Sequence, residues 1–205
     1  LWVGWYGFNA GSALAANGSA GMALFVTHIA ASAGALTWMT CEWVKFGKPS
    51  GLGIVTGMVA GLGTITGAAG VVGPAGALVI GVLAGVICFF MTQLIKKTLK
   101  IDDSLDVFPV HGVGGILGTF LAGIFCSPDL GVFSGFGYAA GHDSMASQLG
   151  IQILGIVVIA SYTAMLTWLL LKLTSLLTKG LRVSDDEERE GLDLVSHDER
   201  GYDLN

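Results

Sequence analysis

Charge is the scarcest property of this sequence. Asp, Glu, Lys and Arg make up 12% of its 205 residues, about half the share of a typical soluble domain. From Val107 to Pro128 there is none, and the 28 residues of 144–171 carry none either. A water-facing surface cannot be built from so few ionic groups, which excludes an ordinary cytosolic domain. Cysteine is scarce too. Cys41, Cys88 and Cys126 are odd in number and scattered, so they match neither a disulfide framework nor a metal motif and read as packing residues. No nucleophile–base pair or metal cluster supports an enzyme, and no cofactor or nucleic-acid partner is expected. There is no initiator Met and no signal-peptide pattern. The opening residues LWVGWYGFNAGS already read as a helix in progress, so a longer parent protein is expected.

What the chain does have is apolar length. Hydrophobic residues are 53% of the total, and the mean hydropathy is +0.72. That much hydrophobicity rules out disorder despite 32 glycines. A membrane-crossing helix needs about 20 mostly apolar residues. Six segments qualify, at 1–17, 20–42, 51–69, 74–95, 104–126 and 145–171, the last extending towards 179. The fold class is therefore all-α, a polytopic membrane bundle over 1–179 followed by an acidic tail over 180–205. The 28 uncharged residues of 144–171 would rise about 42 Å, so the last span should tilt or overrun the bilayer.

Lys and Arg set the orientation. All ten fall in the same set of alternate loops or in the tail, and the breaks at 17–19, 70–74 and 127–144 contain none. Residue 1 and the C-terminus are thus both expected on the cytoplasmic side of an inner (plasma) membrane. Gly53, Gly57 and Gly61 recur every four residues, as do Gly81 and Gly85, and Gly114 and Gly118. Small residues at that interval let helices approach closely in lipid.

His111 sits in the run from Val107 to Pro128 that has no Asp, Glu, Lys or Arg, about 10 Å in from Ser104 at 1.5 Å per residue. Ionisable residues are costly in a membrane and suggest function by default. The bland alternative is a histidine that donates to a carbonyl inside the bundle. An uncharged imidazole can hydrogen-bond a small polar solute. Asp106 reads as the cap of that helix, whereas Asp102 and Asp103 read as solvated. His28 reads as a core or interface histidine. Trp5, Phe8 and Ser12 share one helical face. They form either an aromatic packing face or a place where rings and a hydroxyl meet a cation. In the tail, nine acids and three arginines give 3 − 9 = −6. That is a solvated end, or a docking segment for a cytosolic partner.

The stretches GWYGFNAGSA at 4–13, DVFPVHGVGGILG at 106–118 and GLRVSDDEEREGLDLVSHDERGY at 180–202 resemble the ammonium transporter family (Amt/Mep/Rh), in its bacterial Amt branch. The resemblance covers the whole chain but only the second half of the family's eleven-helix protein, about helices six to eleven. It implies a homotrimer with one pore per subunit, built from two inverted repeats. Residues 1–126 would be the second repeat, followed by the final oblique helix. By position, His111 matches the second histidine of the pore pair, Phe8 a phenylalanine of the outer gate and Ser12 the serine of the external ammonium site. Trp5 matches a tryptophan lining the pore, and Asp106 an acid supporting its inner end. The tail, with Arg182, Glu190, Gly191, Leu192, Asp193 and Tyr202, matches the segment that communicates with PII signalling proteins. Tyr6 stands where many members carry Phe, off the pore face by spacing. The first pore histidine and the other gate phenylalanine belong to the missing half. The expected function is passage of ammonium or ammonia through an apolar pore. The alternative is an ammonium sensor on the same bundle.

Overall fold

A computed structural model describes residues 1–178 and 180–201. Helices account for all the regular structure among them, and there is no strand. Each of the six expected spans is helical: α1 (Trp2–Gly11), α2 (Gly18–Phe46), α3 (Gly51–Thr66), α4 (Pro74–Gln93), α5 (Val113–Phe125) and α6 (Met145–Thr178). Four helical stretches are long and apolar enough to cross a membrane: Gly18–Phe46, Pro74–Thr98, Val107–Phe125 and Met145–Thr178. Two of these include π-helical turns, Leu94–Thr98 after α4 and Val107–Gly112 before α5. Two short helices, α7 (Asp185–Glu190) and α8 (Leu192–His197), lie in the tail.

Local chemistry sets the ends. Asn17 caps α2, its side chain accepting from the amides of Ser19 and Ala20, and Gly47 ends α2 in the left-handed conformation at φ 80°. Ser50 caps α3 by accepting from Gly53 N–H, and Pro74 opens α4 at a position where no N–H is needed. The first helix stops at Gly11, short of the expected 17. The Ser12 hydroxyl donates to the Phe8 carbonyl, the next two amides bond back to Ala10 and Gly11, and Leu14 turns left-handed. The chain then has to restart at the Asn17 cap.

The chain forms two compact units, Leu1–Ile156 and a second from Val157 onward. In the first, α2 packs on both α3 and α4, and α3 packs on α5. Small residues make these crossings close. A side chain at Gly34 would strike the backbone of Gly57 and Gly61, and one at Gly118 would strike the Thr64 carbonyl. The glycine series at 53/57/61, 81/85 and 114/118 all sit at such approaches. Around them lie two apolar clusters. One gathers Val26, Ala30, Ile65, Val72, Ile80 and Leu121, and the other gathers Trp38, Ala60, Cys88, Phe89 and Val110. Cys88 and Cys126 are buried and unpaired, as packing residues should be. Of α6, only Gln148 is buried, its side-chain oxygen accepting from the Ala139 amide.

Candidate functional site

The aromatic face of α1 meets α3 through one hydrogen bond. Trp5 Nε1 donates to Thr66 Oγ1 at 2.8 Å, and Thr66 Oγ1 donates in turn to the Leu62 carbonyl. The threonine oxygen therefore works in both directions and fixes the indole against α3. Trp5 and Phe8 meet edge to face, centroids 6.3 Å apart and planes at 77°, the arrangement that ring quadrupoles favour. Phe8 is 62% exposed.

Phe8 and Ser12 line a depression of about 460 Å³ together with Asn9, Asn17, Thr66 and Ala69. Ser12 has already given its one hydrogen to the Phe8 carbonyl at 2.8 Å. Its oxygen is left as an acceptor only. Asn9 is buried and its amide donates to Thr27 Oγ1 at 2.9 Å, which braces α1 on α2 beneath the depression. The mouth thus offers an acceptor and an aromatic face, the two groups that suit a cation rich in N–H donors.

His111 lies in the π turn that precedes α5 and is exposed on the wall of the bundle. Its imidazole makes no hydrogen bond among the described residues. Nδ1 stands 3.8 Å from where a side chain would begin at Gly63. Gly63 and Thr66 are three apart, hence neighbours on one face of α3 and about 4.5 Å apart along it. Trp5 and His111 therefore address the same stripe of α3, one turn from each other. At Gly63 the bare backbone leaves the imidazole room. Between α3 and α5, Gly114 and Gly118 close on Thr64, which holds the π turn against that stripe.

The capping expectation at the start of this span needs correcting. Asp103 makes the cap, its two carboxylate oxygens accepting from the amides of Val107 (2.9 Å) and Phe108 (2.8 Å). Asp106 occupies the cap position but is left-handed at φ 56° and makes no capping bond, because that conformation turns its side chain away from the helix amides. It pairs instead with Lys96, whose Nζ is 2.8 Å from Oδ1. The approach is close enough for an ion pair but lies off the line of a directed hydrogen bond. Lys96 also reaches the Ser104 carbonyl, tying the end of α4 to the start of the next span.

His28 is exposed, at the edge of the bundle. Tyr6 Oη lies 2.6 Å from its Nδ1, and Trp2 stacks on it at 5.3 Å. Tyr6 thus faces α2, away from the Trp5–Thr66 side.

In the tail, Arg182 reaches both carboxylate oxygens of Glu188 at 3.0 Å. Ser184 and Glu187 form a reciprocal capping box at the start of α7. The hydrogen bonds from Ser184 hold the Glu187 carboxyl below its ordinary pKa. Glu190 ends α7 and Leu192 begins α8, with Gly191 between them at φ 100°, a conformation that a side chain would strain. Asp193 lies in the first turn of α8. Tyr202 lies outside the described residues.

Thr66, Asn9 and Thr27 were not singled out in the sequence, and Asp103, read there as solvated, is instead held by the Val107 and Phe108 amides. The signal for the threonines was a polar residue within an apolar helix, visible in GLGTITG but without an obvious partner.

Residues 1–202 match the profile of the Ammonium Transporter Family. An ammonium transporter of Aquifex aeolicus is 46% identical over 204 residues, covering 100% of this chain and 47% of that protein. Ammonium transporter Amt1 of Archaeoglobus fulgidus is 43% identical, over 98% of this chain and 50% of that protein. Among solved structures, a sensor Amt protein superposes with TM-score 0.85 at 33% identity, over 96% of this chain and 46% of its own. Mep2 of Saccharomyces cerevisiae does so with TM-score 0.79 at 37% identity, over 91% of this chain and 42% of its own. The chain spans about half the length of the curated relatives it matches.

Proposed function

The chain belongs to the ammonium transporter family, a family of multi-pass membrane transporters and not of enzymes, and on that footing we propose that it supplies one wall of a pore that carries ammonium or ammonia. The observation that carries this reading is the alignment along α3. An acceptor-only Ser12 oxygen and the Phe8 ring lie at an open depression. Trp5 and His111 follow on the Thr66–Gly63 stripe.

The reaction coordinate is a dehydration. Ammonium is a cation, and hydrocarbon rejects cations. At the mouth, the Ser12 oxygen accepts one N–H while the Phe8 ring faces the charge, a contact worth about 2 kcal/mol or more once water is excluded. Phe8 acts as the gate. Beyond it, Trp5 narrows the path, and the His111 imidazole hydrogen-bonds ammonia within apolar walls. Potassium has no proton to lose and none to donate, so the same walls refuse it. A second histidine and a second gate ring would come from the other half of the transporter. Asp106, through Lys96, supports the inner end.

On this reading 1–179 is the membrane bundle of a homotrimer in the inner membrane. The segment 180–205 lies in the cytoplasm, where Arg182, Glu190, Gly191, Leu192, Asp193 and Tyr202 meet a PII protein. Uptake of methylammonium by proteoliposomes of the whole transporter tests the pore, and also separates conduction from sensing. Ser12→Leu should block entry, and His111→Ala should abolish uptake or admit potassium. Normal selective uptake by both variants would refute the assignment.

A further inference from the structure

Asn9 is the one buried residue of α1, yet it lines the depression at the mouth. A side-chain amide has a donating end and an accepting end, and its neighbours decide which way it faces. Here the direction is fixed in two steps. The Thr27 hydroxyl donates to the Ala23 carbonyl, which uses its only hydrogen. Thr27 Oγ1 can then only accept, and it accepts from Asn9 Nδ2 at 2.9 Å. The donating end of the amide is therefore turned to α2, and Oδ1 is turned away from it. Oδ1 receives no hydrogen bond among the described residues. It is not sealed inside the bundle either, so the 5% of Asn9 that stays exposed opens on the depression. An acceptor held in so enclosed a place without a donor carries a desolvation cost. Other oxygens around the depression are committed. The Asn17 side chain accepts from Ser19 and Ala20, and Thr66 Oγ1 is used by Trp5 and Leu62. Ser12 lies three residues beyond Asn9, on the same flank of α1, and its oxygen is free to accept.

We propose that Asn9 Oδ1 is a second acceptor for the ammonium ion at the mouth, and that Thr27 is the positioning residue that keeps this oxygen, and not the NH2 group, towards the ion. This rests on the pore reading above. Two acceptors one helical turn apart match two N–H bonds of one tetrahedral ion, while the Phe8 ring faces its charge. An NH2 group in the same place would repel the ion. The hydroxyl of Thr27, on a different helix, thus sets the sign of the group that the mouth presents.

The test is methylammonium uptake by proteoliposomes of the whole transporter, with KM and maximal rate separated. Asn9→Leu keeps a branched side chain and removes the oxygen. KM should rise about tenfold, the low end for a hydrogen bond to a charged group because water competes at an open mouth. The maximal rate should stay within about twofold, as for a contact made on entry. Ammonium should weaken by the same factor as a competitor, whereas trimethylammonium, with one N–H, needs one acceptor and should weaken little. Thr27→Val leaves the amide free to face either way and should raise KM about twofold. Thr27→Ser keeps the hydroxyl and should restore the wild-type value. If Asn9→Leu fails to fold, the Thr27 pair, which leaves Asn9 in place, decides the matter. An unchanged KM in Asn9→Leu, or equal values in Thr27→Val and Thr27→Ser, would overturn the proposal. So would a fall in maximal rate at constant KM, which would place Asn9 in passage and not at entry. Ser12→Leu separates the two levels. If it blocks entry while Asn9→Leu behaves as wild type, the pore stands and the second acceptor falls. Normal uptake by Ser12→Leu as well would remove the mouth itself, and the acceptor with it.

Discussion

Replacing Thr66 by Val removes one oxygen and almost no volume. That oxygen is the acceptor for Trp5 Nε1 at 2.8 Å. Its own hydrogen goes to the Leu62 carbonyl, which remains a helix acceptor without it, so the loss falls on the indole. Hydrogen bonds between helices in a bilayer are worth about 0.6 kcal/mol on average and up to about 1.7. If Trp5 has to be held in its present orientation for the solute to pass, the held population falls about 3- to 20-fold. Methylammonium uptake by proteoliposomes should fall within that range, with an unchanged elution volume on size exclusion. Thr66→Ser keeps the hydroxyl and should restore most of the rate. Thr66→Ala removes the hydroxyl and leaves space, so it should do no better than Val. Equal losses in the Ser and Val variants would show that packing and not the hydrogen bond matters. Full activity in the Val variant would refute the claim that Thr66 positions Trp5.

Gly118→Ala should destabilise the protein by about 1–3 kcal/mol, because its methyl would meet the Thr64 carbonyl; Gly115→Ala, with open space around it, should be near neutral, both read by thermal unfolding. Asp103→Ala should lower stability by about 0.5–2 kcal/mol as a lost helix cap, more than Asp106→Asn, whose ion pair lies close to the surface and is worth about 0–1 kcal/mol; the reverse order would restore Asp106 as the cap. The Glu187 carboxyl has a lowered pKa in the folded tail, so its contribution to α7 is complete above the ordinary carboxylate value of 4.5 and is lost as pH falls through the folded value below it. The Ser184 amide resonance should report that loss, and Ser184→Ala should abolish the transition.

The helical frame was legible because each segment carries its own signal, apolar length between short polar breaks. The Trp5–Phe8–Ser12 face was legible for the same reason, since helical spacing alone brings the three together. Its partner was not: Thr66 is 61 positions from Trp5, and nothing local in α3 separates it from Thr64. The assignment of the cap to Asp106 failed on one dihedral. Spacing puts an acid just before Val107, but a left-handed φ at that residue aims the carboxylate at Lys96 and leaves the amides to Asp103. The early end of α1 had a comparable cause, a serine hydroxyl that turned back on its own helix. His111 stood out as an isolated polar residue in an apolar run, whereas the π turn that carries it leaves no mark in composition.

That turn makes the chain a phase shifter at this point. Between Val107 and Gly112 the backbone bonds from i to i+5, which takes in one residue more per turn than an α-helix does. One residue corresponds to about 100° of rotation. The bearing of the Asp103 anchor and the bearing of the α5 face that meets Thr64 can therefore be set separately, with the imidazole on the arc between them. Side-chain changes here leave that angle alone. Loss or gain of a single residue would swing His111 roughly a quarter turn from α3 while leaving the hydrophobic character of the span as it was. The segment is thus constrained in length more tightly than in sequence.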